Sequence, residues 1–399
     1  FQFGMNWSNY SRYVGDIFGA PLAVEALLTF FLESTFLGLW IFGWDRLPKK
    51  VHLLTIWLAA VGTALSAYMI LAANSWMQHP VGYTFDAEKN RAQMTSFTEV
   101  LFQNTAVIAW LHTISAAFLT AGALMAGVSL WLIMRKKVGA EAMARATLKV
   151  GAAVAVVAAA ALGITGDQDA KIMVQQQPMK MAAAEALYET AQPAPFSLFT
   201  IGTLDGSEPL FSLDIPNALS FLATGTFDGK VEGINNLEQQ YQQQYGPEFG
   251  LESYTPYIPV TYWGFRLMIG FGMLAALFAV IGWWAARKGR TPTSKWLIRM
   301  AILAPFLPLL ANSAGWIFTE MGRQPWIVFG LMPTAEGVSP GVGAAEVLTS
   351  LIVFTLLYGA LAVVEVGLLL RAIKQGPPEV VVDPFADHGD PDRELTVTY

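Results

Sequence analysis

The chain has 399 residues, 54% of them hydrophobic and 14% charged, with a formal net charge of -6 and no cysteine. Its uncharged runs of about 20 residues exceed what a soluble core helix needs and match a bilayer's thickness; their Ala, Leu and Gly content, without a period of two, excludes a β-barrel. Without cysteine there are no disulfides, thiolate metal sites, iron-sulfur clusters or Cys nucleophiles, so His, Met and carboxylates remain as metal ligands, and no nucleic-acid partner is expected.

The fold class that follows is all-α, a polytopic transmembrane helical bundle with seven spans predicted at 20–42, 51–73, 106–134, 144–165, 260–285, 296–318 and 346–372. Ahead of the first span, residues 1–19 carry Phe1, Phe3, Trp7, Tyr10 and Tyr13 and read as an interfacial loop. No initiator Met, signal peptide or positively charged start precedes them, so the chain is expected to be N-terminally incomplete, with a helix lying upstream.

The first span holds Glu25 and Glu33, eight residues apart, which on a straight α-helix is about 12 Å along the axis and roughly 80° around it. An ionised carboxylate at membrane depth is costly unless neutralised. The pair therefore reads as proton carriers or ligands, with Ser34 and Thr35 adding hydroxyls beside Glu33, or as protonated groups in structural hydrogen bonds. His112 lies about six residues into the third span and Met268 about eight into the fifth, which gives them similar depth. Such a pair suits one metal, and His with Met is the axial pair of low-spin electron-transfer haems. Read singly, His112 is equally an interhelical hydrogen-bonding group and Met268 a packing residue. Arg266, two residues before Met268, suits an anionic propionate.

Between the fourth and fifth spans, 166–259 is the one large extramembrane segment. Residues 171–190 have helix-forming composition interrupted by Pro178, 192–216 read as turns and short extended pieces, and 235–245 as a polar Gln-rich helix or a disordered stretch. A flexible connector is the plainer reading of the whole. Lys180 and Glu185 within it mark either a solvated helix face or a quinol site in which the carboxylate accepts a hydroxyl proton. The sixth span ends in Gly315-Trp316-Ile317-Phe318-Thr319-Glu320-Met321 and then Gly322-Arg323-Gln324-Pro325-Trp326. A carboxylate and a guanidinium at a helix mouth stopped by Pro either bind something or anchor the helix at the interface. From Pro377 the tail is rich in Pro and Asp and reads as disordered.

Arg46, Lys49 and Lys50, then Arg135, Lys136, Lys137, Arg145 and Lys149, then Arg287, Lys288, Arg290, Lys295 and Arg299, then Arg371, Lys374 and Arg393, make 16 of the 24 basic residues. They alternate with poorly basic segments, so the positive-inside rule assigns them to the cytoplasm and 166–259 to the outer face. No internal repeat points to an inverted-repeat carrier, although a proton-coupled transporter using Glu25 and Glu33, with His112 as relay, stays open.

Several long strings carry a resemblance. Phe1-Gln2-Phe3-Gly4-Met5-Asn6-Trp7-Ser8, Val14-Gly15-Asp16-Ile17-Phe18-Gly19-Ala20-Pro21-Leu22, Phe31-Leu32-Glu33-Ser34-Thr35-Phe36 and Phe42-Gly43-Trp44-Asp45-Arg46-Leu47, with the Gly322 to Trp326 string, resemble subunit I of cytochrome bd quinol oxidases over nearly the whole chain. The resemblance implies that His112 and Met268 are the axial ligands of a low-spin haem b. Glu320 would be a ligand at a pair of high-spin haems, a haem b with a haem d or a third haem b. Arg323 would pair with a propionate, with Trp316 and Gln324 supporting that site, Glu25 near the oxygen-reducing haem, and Glu33 and Ser34 on the proton route. Lys180 and Glu185 match quinol-site positions in the external loop called the Q-loop.

The implied activity is oxidation of membrane quinol at the outer face and reduction of dioxygen to water, building proton motive force without a pump. The setting would be the bacterial inner membrane and its lipid bilayer, beside subunit II and a small single-span accessory subunit. In that organisation 1–165 and 260–372 are the two parts of the bundle, 166–259 the Q-loop and 373–399 a cytoplasmic tail. Two departures stand out. The family has nine spans, and the first carries a His that ligates a high-spin haem; that helix has no counterpart here, and His52, His79 and His388 fall in loops or the tail on this reading. The loop is short, like that of the class often grouped with cyanide-insensitive oxidases. A non-catalytic truncated homologue that scaffolds subunit II is the remaining alternative.

Overall fold

The computed structural model of the chain describes residues 4–136 and 139–376. Among the described residues six helices are long and apolar enough to cross a membrane, and a bent helix pair makes up to a seventh. In chain order the elements are α1 (Ser8–Val24), which continues through a π-turn at Glu25–Thr29 into α2 (Phe30–Phe42), then α3 (Lys49–Gln78), a hairpin of β1 (Tyr83–Asp86) and β2 (Arg91–Met94), α4 (Phe97–Phe102), α5 (Asn104–Met134), α6 (Glu141–Gln176) and α7 (Pro178–Glu185). After these come β3 (Phe196–Gly202), β4 (Pro209–Ile215), α8 (Ala218–Thr224), α9 (Ile234–Phe249), α10 (Ile258–Ala286), α11 (Lys295–Leu303), α12 (Phe306–Met321), β5 (Trp326–Val328), β6 (Met332–Pro333) and α13 (Ala344–Gln375). The three pairs of strands form separate two-stranded antiparallel sheets. The helical reading therefore holds, with three short hairpins added.

Several boundaries differ from the sequence reading, each for a physical reason. Residues 8–19 are helix, not loop: Tyr10, Tyr13, Val14, Ile17, Phe18 and Pro21 are buried along α1, the three-and-four spacing of an apolar helical stripe. They pack with Trp76, Val100, Val328 and Met332. The second span runs on to Gln78, and the fourth to Gln176, because polar residues at their C-terminal ends are taken up by protein partners. Pro178 starts α7 rather than interrupting a helix, since the missing N–H of proline is not needed in a first turn. The sixth span is broken: α11 and α12 are bent by 44° around Pro305, which lacks the N–H for the helical ladder. His52 is helical, in the first turn of α3, with Nε2 bonded to Trp40 O at 2.8 Å. His79 follows α3 as its C-cap, and His388 lies outside the described residues, as does most of the expected tail.

The segment from α7 to α9 is a folded structure, not a connector. The β3–β4 hairpin pairs Phe196 with Ile215 and Gly202 with Pro209. One core gathers Met179, Leu237, Tyr241, Tyr254 and Trp326, and another Met181, Leu219 and Val231. The alternative for 235–245 resolves to helix, closed by Gly250 at φ 57°, a left-handed position that glycine adopts without strain.

The chain divides into two compact units. One contains the described part of Phe1–Ala117, with Ala159–Phe271 and Leu310–Val342, and holds the first core, the α7 to α9 segment and every side chain of the site below. Within it, α2 and α3 approach so closely that a Cβ on Gly62 would lie 3.0 Å from the backbone nitrogen of Glu33. The other contains Phe118–Ala158, Gly272–Leu309 and the described part of Gly343–Tyr399. There, α5 and α6 cross at Gly122 and Gly151, where a Cβ on Gly122 would meet Gly151 O at 2.8 Å, the small-residue contact by which membrane helices pack without a hydrophobic drive. Arg145 closes the end of α10, donating to Ala286 O at 2.9 Å and Gly289 O at 3.0 Å while pairing with Glu141. This satisfies carbonyls that the helix leaves open.

Candidate functional site

α7 turns the fold's loop inward. All residues from Met179 to Glu185 are buried, with Lys180 7% and Glu185 3% exposed, so the solvated-face reading of these two residues does not hold. Lys180 Nζ donates to Gln78 Oε1 at 3.1 Å and lies 5.4 Å from the centre of the Phe318 ring. Its stem runs over Gly322, where a Cβ would come within 2.8 Å of Lys180 Cγ. Glycine at 322 thus makes room for the lysine beside the end of α12. Burial, helped by the charge of Arg323, pulls Lys180 down to about 7, against the opposing charges of Glu320 and Asp169. Burial pushes Glu185 up to about 7, with Arg266 opposing.

Arg266 is held differently from expectation. Its Nη2 donates to Glu185 Oε2 at 2.6 Å, Nη1 to Glu185 Oε1 at 3.3 Å and Nε to Ser197 O at 2.9 Å. The guanidinium also stacks on Phe196 and Tyr262, each 4.6 Å away. The structure pairs Arg266 with Glu185 in a buried fork-to-carboxylate contact that the sequence reading did not include.

At the end of α12, Glu320 Oε1 accepts from Asn74 Nδ2 at 2.9 Å and Oε2 accepts from Arg323 Nη2. Arg323 is 3% exposed; its Nε donates to Trp326 O at 3.3 Å, and Nη1 is buried with no hydrogen-bond partner. A buried guanidinium N–H left open is costly and fits a missing anionic oxygen such as a propionate. Gln324 closes the helix end, donating to Glu320 O at 3.3 Å and accepting from Thr334 Oγ1 at 2.8 Å. Trp316 is half exposed on α12, apart from this cluster.

His112 and Met268 are each fixed by a different helix. His112 Nδ1 is 2.9 Å from Thr165 Oγ1, which also lies 2.9 Å from Ala161 O. With the hydroxyl proton on Ala161 O, Nδ1 donates and Nε2 is left as the lone-pair nitrogen, the tautomer of a metal ligand oriented by its other nitrogen. Met268 lies against Gly315, where a Cβ would sit 2.7 Å from Sδ. Among the described residues no three His, Asp or Glu side chains converge on a metal position. Single donors at His112, Met268 and Glu320 suit a porphyrin iron, which brings most of its ligands with it.

Glu25 lies in the π-turn and accepts from Ser66 Oγ at 2.8 Å. The wider turn changes the rotation between Glu25 and Glu33, so the angle expected for a straight α-helix does not apply. Glu33 is half-buried on α2, and the Ser34 hydroxyl is bonded back to Phe30 O at 2.8 Å. Sequence reasoning missed Ser66, Asn74, Gln78, Thr165 and Gly315. Asn74 and Gln78 sit at i and i+4 at the end of an apolar run, a polar pair that the span boundary drawn at 73 cut away.

The model of the family described as cytochrome bd terminal oxidase subunit I matches residues 1–377. The chain is 43% identical over 394 residues to "Cytochrome bd ubiquinol oxidase subunit 1" of Bacillus subtilis (strain 168), covering 97% of this chain and 82% of the relative. It is 35% identical over 430 residues to "Cytochrome bd-II ubiquinol oxidase subunit 1" of Escherichia coli (strain K12), covering 94% and 83%. Among solved structures, that of the bd oxidase from Geobacillus thermodenitrificans matches with a TM-score of 0.81 at 28% identity, covering 94% of this chain and 82% of that one.

Proposed function

The chain belongs to the cytochrome bd terminal oxidase subunit I family, and from that premise we propose that it oxidises membrane quinol at a site built on α7 and passes the electrons to dioxygen. It is a subunit of a quinol:oxygen oxidoreductase of the bacterial inner membrane that works with haem cofactors and subunit II. The observation that carries the finer reading is the burial of Lys180 and Glu185 on one short helix without an ion pair between them. Glu185 is compensated by Arg266, but withdrawing the Lys180 ammonium from water against a neutral amide and the Phe318 ring costs stability, and a quinol oxygen at Lys180 recovers part of that cost.

In this reading Glu185 takes a quinol hydroxyl proton, and its raised proton affinity, near neutral, suits a general base. Arg266 orients the carboxylate. Lys180 donates to the second quinol oxygen. His112 and Met268 would hold the low-spin haem b, and Glu320 a high-spin haem, b or d, with Arg323 on a propionate; bound there, the haems supply one-electron carriers and the iron that reduces dioxygen. Glu25, held by Ser66, and Glu33 with Ser34 move protons toward that reaction from the cytoplasmic side. With quinol protons released outside and substrate protons drawn from inside, a membrane potential forms without pumping. The Q-loop faces outward and the C-terminal tail inward, with the large apolar residues along α13 left for lipid, subunit II or a small accessory subunit.

A reduced-minus-oxidised spectrum of the purified complex tests the reading. The expected result is low-spin and high-spin haem bands, with His112→Ala removing the low-spin b band and quinol oxidation. A low-spin band that survives in His112→Ala refutes the ligand assignment, and a complex without haem bands refutes the oxidase mechanism.

A further inference from the structure

Asn74 and Gln78 on α3 stand between the two halves of this site. Gln78 fixes α7 twice: its backbone carbonyl accepts from Gln177 Nε2 at 2.6 Å, and its side-chain Oε1 accepts from Lys180 Nζ at 3.1 Å. One turn earlier, Asn74 Oδ1 accepts from Gln78 Nε2 at 3.4 Å, and Asn74 Nδ2 donates to Glu320 Oε1 at 2.9 Å.

The chemistry at the two ends forces the direction of this chain. An ammonium only donates, so Gln78 must turn its oxygen to Lys180; an ionised carboxylate only accepts, so Asn74 must turn its NH2 to Glu320. The middle contact can then run only from Gln78 nitrogen to Asn74 oxygen. Three hydrogen bonds point one way, from Lys180 to Glu320, and bonds aligned in series polarise one another in a poorly solvated setting. Gln78 is itself 6% exposed, so water does not short-circuit the series there.

We propose that Asn74 and Gln78 are positioning residues that couple the lysine of the quinol site to Glu320, so that a quinone oxygen bound at Lys180 alters the hold on Glu320. The proposal rests on the reading above, in which Lys180 meets quinone and Glu320 ligates a haem. A carbonyl oxygen that accepts from Lys180 draws the ammonium's charge away from Gln78 Oε1. The amides then polarise each other less, and the Asn74 to Glu320 bond weakens. Gln78 also determines where Lys180 sits, through the bond to Gln177, so ligand movement and α3 geometry are tied at one residue.

The test uses the oxidised complex and an oxidised short-chain benzoquinone, which binds without turnover. Two quantities are read: quinone binding by equilibrium dialysis, and the high-spin haem absorption. In the unaltered complex, quinone is expected to shift the high-spin band. Asn74→Leu is expected to bind quinone with the shift abolished. Gln78→Glu keeps an oxygen for Lys180 but, ionised, cannot donate to Asn74; it too is expected to lose the shift in complexes that dialysis shows to hold quinone. A purely structural role would leave the shift in place in whatever complex assembles. No shift in the unaltered complex, or a shift that persists in Gln78→Glu, overturns the proposal, and Gln78→Glu decides the matter if Asn74→Leu fails to assemble. Failure of the functional reading looks different, because the unaltered complex then lacks haem bands or quinol oxidation altogether.

Discussion

Arg266→Gln isolates the electrostatics of Glu185, the carboxylate of the proposed quinol site. Arg266 and Glu185 are 2.6 Å apart with side chains 9% and 1% exposed, so solvent screens them little. Removing one partner of a buried pair costs about 3–5 kcal/mol if the other stays charged, and one pKa unit corresponds to about 1.4 kcal/mol. Glu185 therefore escapes most of the penalty by taking a proton, and an upward shift of about two units is the expected scale. Its proton affinity starts near 7, where burial outweighs the opposing Arg266. The acidic limb of kcat/KM for quinol should then move from near pH 7 to about pH 9, and the rate at pH 7 should fall roughly 50-fold. For stability the sign is that of a raised carboxyl: the contribution is full below the unfolded value of 4.5 and is lost as pH rises through about 7. Arg266→Gln extends that loss to higher pH, so Tm should fall most on the alkaline side. The assay is stopped-flow quinol oxidation from pH 5 to 10, with the low-spin haem band followed in the same sample because Arg266 lies two residues from Met268. An acidic limb that stays near pH 7 in the variant, with the band intact, refutes Glu185 as the base.

Three further perturbations address the other groups. Gly315→Ala would put a Cβ 2.7 Å from Met268 Sδ, whereas Gly270→Ala on α10 meets open space; the low-spin haem band should shift or weaken in the first and stay unchanged in the second, as read by difference spectroscopy. Thr165→Val removes the acceptor that fixes the His112 tautomer, and loss of such a support typically costs about 10- to 100-fold in metal affinity, measurable as low-spin haem content per complex after stringent washing. Ser66→Ala deletes the 2.8 Å bond to Glu25, so dioxygen consumption should slow several-fold with the KM for quinol unchanged; an equal rise in KM would tie Ser66 to the quinol site instead.

The spans were legible because lipid imposes one rule, about 20 apolar residues per crossing, and that rule is written in local composition. Their ends were not. Asn74 and Gln78 are polar enough to look like loop and are held by partners on other elements, while Asp167 and Lys171, equally polar, meet each other one turn apart at 2.7 Å. The same cause hid residues 8–19, where Arg12 and Asp16 masked a stripe of aromatic and branched residues that pairs with a hairpin far along the chain. Pro305 was visible in the sixth apolar run, but the choice between a kink and a break lies in three dimensions.

The site shows the same division more sharply. His112, Glu320 and Arg323 stand out as residue types that lipid does not tolerate without a reason, so a single sequence nominates them, whereas Met268 is ordinary in an apolar helix and is nominated only by its depth beside His112. Their supports do not stand out, because Thr165, Gly315 and Gly322 are ordinary in membrane helices and act by what they accept or leave empty. Arg266 illustrates the risk of reading position alone: two residues from a candidate ligand, it looked like a propionate partner, yet the chain folds a carboxylate from 81 residues earlier against it. Lys180 and Glu185 illustrate the reverse. Nothing in their own segment separates a solvated helix from a buried one, since burial comes from Gln78, Phe318 and Gly322 on other elements. Meaning at such positions depends on a contact that the segment itself does not encode, and so the proposed quinol-site lysine depends on α3 and α12 for its location as much as on α7 for its chemistry.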